Sequence, residues 1–330
     1  MVGIKDVARR AGVSIGTVSN VVNRPEVVSH ATRAKVLAVI DELGYVRDES
    51  ARQLRAGRSR VLGLLVLDLG NPFFVDVARG AEEAARKAGL HVVTCTSSQQ
   101  VDTEASYLSM FAEQRVRGVL LSPVTTDAGA LCAFRRGRIP FVLVDRSAPA
   151  DDVSSVSVDD VVGGTLAGRH LLETGHRRIA FVNGPEVLAQ CRDRRAGLTA
   201  ALTGSGAELS TMEVPALDVA SGREAGTRLL ARAPRPTAVF CANDLLALGV
   251  LQAMVGAGVP VPGEVAIIGY DDIEFAGAAA VPLTSVRQPA RLIGRTAAEL
   301  LIAETGDGEQ PEHRAVVYEP SLVIRESTRR

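Results

Sequence analysis

The chain has 330 residues, of which 46% are hydrophobic and 23% charged, with a formal net charge of −1. That length exceeds what one hydrophobic core usually organises, so two or more domains are expected, and the apolar fraction excludes a disordered or fibrous chain. The longest apolar runs, such as residues 61–67, fall far short of the ~18–20 residues a membrane span needs. The charged start Met1-Val2-Gly3-Ile4-Lys5-Asp6 does not read as an export signal, so a cytoplasmic protein with no membrane partner is expected.

The charge is unevenly placed. Residues 1–60 carry 11 Lys+Arg against 6 Asp+Glu, a net of +5, and the remainder carries a net of −6. A basic head on an acidic body suggests that the head meets a polyanion. Within it, Ile4, Val7, Ala8 and Ala11 recur at helical spacing and predict a short helix over 4–11, closed by Gly12. Ser14 stands at an N-cap position before a second helix over 15–22, with Val18 and Val21 turned toward the first helix. Ile15, Gly16, Thr17, Ser19 and Asn20 would then face outward. A third helix is expected after Ser29, burying Val36, Leu37, Ile40 and Leu43 and ending at Gly44. Two short helices joined by a tight glycine turn make a helix-turn-helix, whose second helix enters the DNA major groove.

The string Ile4-Lys5-Asp6-Val7-Ala8, Ala11-Gly12-Val13-Ser14, Thr17-Val18-Ser19, Val22-Asn23, with Glu42-Leu43-Gly44-Tyr45 and Ala51-Arg52-Gln53-Leu54, resembles the head of the LacI-type (lactose/galactose repressor) family. The resemblance implies that Ile15, Gly16 and Asn20 read base edges. Ile15 would offer an apolar surface to a thymine methyl and Asn20 a paired hydrogen bond to adenine. Gly16 brings no side chain. Ser14, Thr17, Ser19, Asn23, Ser29, Thr32 and Tyr45 would bond phosphates, which fix position rather than sequence. By the same resemblance, residues 48–56 form a hinge helix in which Leu54 wedges into the minor groove while Arg52 adds phosphate charge. Asp48 and Glu49 depart from the family's usual neutral hinge start: Asp48 can cap the hinge helix, whereas two carboxylates near phosphates repel. The domains expected are a head over 1–46, a hinge and linker over 47–60, and a body over 61–330.

The body alternates. Strands are predicted at 61–67, 90–96, 118–122, 140–144, 178–182, 237–241 and 265–269, and helices at 76–88 and 103–115 lie between the first of them. Such alternation gives parallel sheets with helices on both faces and ligands at the carboxyl ends of the strands. Two sheets fit, the second beginning after residues 159–163. This is the two-lobed, periplasmic-binding-protein-like fold that the resemblance implies.

Polar and aromatic residues gather at the predicted strand ends: Asn71, Phe73 and Phe74, then Asp145 and Arg146, then Asn243 and Asp271, with Arg194 in a helix and Gln288 further on. Aromatic rings cover the apolar face of a sugar, while Asp, Asn and Arg bind adjacent hydroxyls. A nucleobase would want flat stacking on both faces, so a sugar is favoured. By resemblance Asp159 and Gln190 join the effector set, and Leu217 falls where relatives place a stacking aromatic. The expected partners are a pseudo-palindromic double-stranded operator, a small-molecule effector and a second copy of the chain. Cys95, Cys132, Cys191 and Cys241 stand alone, without a CxxC pair, and read as reduced thiols; no metal site or cofactor is expected. An enzyme is the poorer reading, because GxGxxG, GxxxxGK[ST] and HExxH are all absent. A transporter's solute-binding protein would share the body but lack the head.

Overall fold

The structure, a computed structural model, describes residues 2–45, 59–125, 139–148, 153–306 and 312–329. The chain divides into two units, Met1–Arg58 and Ser59–Arg330. In the first, α1 (Ile4–Ala11), α2 (Ile15–Asn23) and α3 (His30–Leu43) surround a small core of Val7, Ala11, Val18 and Val36. Gly12 ends α1 at φ 63°, a left-handed turn that a Cβ would strain. Ser14 Oγ accepts from Thr17 N at 3.0 Å and so starts α2. The third helix differs from expectation in one position. Val39 is buried, whereas Leu37 is 41% exposed. Residues 36, 39, 40 and 43 form the inward stripe, and Leu37 lies one residue off it.

Among the described residues, the second unit holds two six-stranded sheets. The strands are β1 (Val61–Val66), β2 (His91–Thr96), β3 (Gly118–Leu121), β4 (Phe141–Val144), β5 (Ser155–Val158), β6 (Arg178–Asn183), β7 (Glu208–Glu213), β8 (Ala238–Cys241), β9 (Ala266–Asp271), β10 (Thr284–Arg287), β11 (Ala315–Tyr318) and β12 (Ser321–Val323). The first sheet runs β11-β5-β4-β3-β1-β2 and is parallel throughout. The second runs β12-β10-β9-β8-β6-β7, with only β12 antiparallel. The lobes thus repeat one topology, and each has a switch point beside its first strand. Short, fully buried runs such as Val119–Leu121 are the composition that a sheet covered on both faces requires.

The chain changes lobe three times, near 159, 289 and 319–320. The return of 290–318 to the first lobe is not foreshadowed by the sequence pattern. The helices are α4 (Pro72–Lys87), α5 (Val101–Glu113), α6 (Asp160–Glu173), α7 (Ala189–Leu202), α8 (Val219–Leu230), α9 (Asp244–Gly256), α10 (Glu274–Gly277) and α11 (Ala290–Glu304). Helix α4 begins four residues before its predicted start, because Asn71 caps it and Pro72 fits its first turn. Three helix pairs cross at reciprocal glycines: Gly80 with Gly294 in α4–α11, Gly164 with Gly197 in α6–α7, and Gly222 with Gly249 in α8–α9. A Cβ on any of the six would strike the partner helix's backbone. Cys191 and Cys241 are free and buried, and Cys95 is free and half-buried. Cys132 lies outside the described residues.

Candidate effector cleft and DNA-facing helix

On the head, Ile15, Gly16 and Asn20 stand exposed together on α2, while Thr17 and Ser19 are half-buried beside them. Ile15 is 44% exposed, an apolar side chain that the head's own core does not use. Ser29 Oγ donates to Thr32 Oγ1 at 2.9 Å and accepts from Thr32 N at 3.4 Å, capping α3 as Ser14 caps α2. Asn23 Nδ2 donates to the Ser19 carbonyl at 2.7 Å. Tyr45 packs half-buried against the head core. Capping fixes the Ser14 and Ser29 hydroxyls at the starts of α2 and α3 and uses part of their hydrogen-bonding capacity. Arg52 and Leu54, with Asp48 and Glu49, lie outside the described residues.

In the second unit a cleft enclosing about 390 Å³ of space, its open mouth included, lies between the lobes at the carboxyl ends of the strands. Asn71, Phe73, Phe74 and Asp145 line it from the first lobe; Gln190, Arg194, Asn243, Asp271 and Gln288 line it from the second. Leu67, Asp68, Gln99 and Leu217 complete it. Two residues of the expected set do not line it. Asp159 caps α6, its Oδ1 accepting from Val162 N at 2.9 Å. Arg146 is buried beside the cleft, in the fields of Asp145 and Asp193.

Several lining side chains are held by the fold itself. Asn71 Oδ1 accepts from Phe73 N at 3.0 Å, and its Nδ2 donates across the cleft to Asp271 Oδ2 at 2.9 Å. Gln288 Nε2 donates to the other Asp271 oxygen at 2.7 Å. Asn243 caps α9 through Leu246 N at 2.9 Å and donates to the Leu217 carbonyl at 3.0 Å. Arg194 is the most enclosed. Its Nε donates to Asp160 Oδ1 at 2.7 Å and its Nη1 to the Ala242 carbonyl at 2.6 Å, and its guanidinium lies 3.7 Å from the Tyr270 ring centroid. Phe73 and Phe74 meet edge to face, with centroids 5.0 Å apart. Asp145 and Asp271 have φ of 58° and 103°, and Ser98 and Gln99 are also left-handed. Non-glycine residues adopt such angles only when their surroundings enforce them, which is common at binding sites.

Burial governs the electrostatics. It raises the Asp145 carboxyl to about 8, with Asp160 and Asp271 adding repulsion and Arg194 and Arg146 opposing. Asp271 is also raised by burial, against Arg194 and the donors Asn71 and Gln288. Burial works against the Arg194 charge, yet Asp160, Tyr270 and Asp271 hold its pKa well above the ordinary value. Sequence reasoning misses Asp160 and Tyr270. Asp160 follows a helix-capping acid and reads as ordinary first-turn chemistry, and Tyr270 reads as strand core. It misses Asp244, fully buried, as well. The Asp244 Oδ2 accepts from Ile273 N at 2.9 Å and its Oδ1 from Ser285 Oγ at 2.7 Å, which fixes the turn carrying Asp271. Among the described residues no group of His, Cys, Asp and Glu is arranged to hold a metal ion, and no helix is long and apolar enough to cross a membrane.

Residues 3–48 match the profile described as bacterial regulatory proteins, lacI family, and residues 169–328 match that of a periplasmic binding protein-like domain. The HTH-type transcriptional repressor PurR of Photobacterium profundum is 35% identical over 333 residues, covering 100% of this chain and 99% of that protein. Among solved structures, the complex of the transcriptional regulator CelR with cellobiose is 35% identical, with a TM-score of 0.75, over 99% of this chain and 100% of that one. The Lac repressor dimer bound to operator and the anti-inducer ONPF is 29% identical, with a TM-score of 0.83, over 99% of both chains.

Proposed function

This chain belongs to the lacI family of bacterial regulatory proteins, and from that membership we propose that it represses transcription from a pseudo-palindromic operator under the control of a sugar bound between its lobes. It is a DNA-binding regulator, not an enzyme: its relatives are transcriptional repressors. It acts in the cytoplasm as a homodimer, each head reading one half-site, so that two-fold protein symmetry meets two-fold DNA symmetry. Ile15 and Asn20 read bases, Gly16 leaves one contact unmade, and the capped hydroxyls of Ser14 and Ser29, with Thr17, Ser19, Asn23, Thr32 and Tyr45, grip phosphates. Arg52 and Leu54 act in the hinge.

The observation that carries the effector reading is the hydrogen bond from Asn71 to Asp271, which ties the lobes together inside a cleft lined by two phenylalanines and a ring of buried polar groups. A ligand inserted there contacts both lobes and changes how they meet. The test is operator binding by fluorescence anisotropy. Full-length protein is expected to bind a selected palindrome, and a chain lacking residues 1–58 is not. Asn20→Ala is expected to cost roughly 1–3 kcal/mol at one base position of each half-site. Uniform weakening over all sequences contradicts its role as a base reader.

A further inference from the structure

Among the described residues, three buried atoms in the cleft wall have no hydrogen-bond partner: Asp145 Oδ1, Gln190 Oε1 and Gln288 Oε1. Their side chains are 5–7% exposed. All three are oxygens. The amide of Gln288 cannot be turned to present nitrogen instead, because its Nε2 faces the Asp271 carboxylate at 2.7 Å. Each donor side chain beside them already makes a hydrogen bond within the protein. Asn71 serves Asp271, Asn243 serves the Leu217 carbonyl, and Arg194 serves Asp160 and the Ala242 carbonyl. The wall therefore offers acceptors and asks for donors.

Charge points the same way. Of the three lining acids, burial keeps Asp145 protonated at neutral pH, which leaves Asp68 and Asp271 against Arg194 alone, whose charge is matched by Asp160. A phosphate or carboxylate would bring acceptors to acceptors and negative charge to carboxylates. Arg146, the nearby cation, is outside the lining and already faces Asp145 and Asp193. An ammonium group would find the acids already served: Asp271 has Asn71 and Gln288, Asp68 accepts from Gly70 N at 2.8 Å, and burial keeps Asp145 protonated up to about pH 8. We infer that the cleft selects an uncharged, polyhydroxylated ligand, donating hydroxyls to Asp145, Gln190 and Gln288, and rejects the phosphorylated, carboxylated and aminated forms of the same sugar. This rests on the cleft's being the effector site.

Calorimetric titration of the full chain at pH 7 decides it. The probes are D-ribose with ribose 5-phosphate, and D-glucose with glucose 6-phosphate, gluconate and glucosamine, together with cellobiose. At least one neutral sugar is expected to bind ten-fold or more tightly than its charged counterparts, and Gln190→Met to weaken that sugar about ten-fold. A phosphate, acid or amine that binds as tightly as its neutral parent overturns the assignment while leaving the cleft as the site. Binding of the neutral sugar unchanged within two-fold in both Gln190→Met and Asp271→Asn removes the cleft as the site. No binding by any of the neutral probes overturns the ligand class.

Discussion

Asp145 shows how a single side chain carries both cost and function. Its folded carboxyl holds a proton up to about pH 8, against 3.8 for the ordinary carboxyl, because burial penalises the charge before any neighbour adds to it. The sign follows from proton linkage. Between those values the folded chain keeps a proton that the unfolded chain has released. This contribution to stability is therefore full below about pH 4 and lost as pH rises through about 8. Asparagine mimics the protonated form, so Asp145→Asn is expected to gain stability relative to the parent as pH goes from 5 to 8.5. Urea unfolding midpoints measured over that range check it, and a constant offset between the two proteins means that Asp145 is charged throughout. Arg194 is the opposite case. It reads from the sequence as a ligand contact, yet it is also a buried structural cation bonded to Asp160 across 34 residues of chain. Arg194→Ala strands a buried carboxylate and is expected to cost about 3–5 kcal/mol. A loss below about 1 kcal/mol by chemical denaturation would show that water replaces the guanidinium without penalty.

At the scale of elements, the three glycine-paired helix crossings place the site. Helix α6 supplies Asp160 and α7 supplies Gln190 and Arg194, so the closeness of that pair sets the Arg194–Asp160 geometry. Gly197→Ala would press a methyl onto the Val161 carbonyl and is expected to cost about 1–3 kcal/mol through overpacking. It should also weaken sugar binding, because Arg194 rides on the displaced helix. Gly256→Ala, in open space at the end of α9, is expected to be neutral or to gain up to about 1 kcal/mol. Thermal unfolding of the two variants separates packing from helix propensity, and equal shifts would refute the packing argument. The same elements show what a sequence displays. Strand-end polar residues such as Asn71, Asp145 and Asp271 are legible because parallel α/β sheets bind at those ends. The head is legible because caps and glycine stops are local. The return of α11 and β11 to the first lobe is not, since β11 and β12 are short and the two-residue link between them carries no signal of a change of sheet. Nor are Asp160, Tyr270 and Asp244, whose partners are distant in the chain and whose residue types are ordinary for a helix start or a strand. Arg146 enters the expected set from its place at a strand end and Asp159 by resemblance; the fold gives Asp159 a capping role and leaves both side chains outside the cleft lining.

At the scale of the whole molecule, regulation requires the lobes to have two arrangements that a ligand distinguishes, since a ligand shifts an equilibrium only by its differential affinity for the two states. Three chain crossings join the lobes, and two of them are tied together by the bond from Asp159 N to the Tyr318 carbonyl at 2.9 Å, which makes this seam the natural axis for a rotation of the lobes. Across the cleft, the Asn71–Asp271 bond favours the closed arrangement, which is also the one a sugar would favour by touching both walls. The two can be separated experimentally. Asn71→Ser keeps a side-chain oxygen to cap α4 but is too short to reach Asp271. Without sugar, it is expected to populate the open arrangement more than the parent does, raising the radius of gyration in solution scattering. Its operator affinity should then move in the direction opposite to the sugar's effect. The change should not exceed the sugar's own coupling, expected at about 1–3 kcal/mol, or roughly 5–150-fold in affinity. Operator titrations of parent and variant, each with and without sugar, measure both quantities. If sugar shifts operator affinity about five-fold or more in the parent while Asn71→Ser binds operator identically to it, cleft closure is not the motion that reaches the DNA.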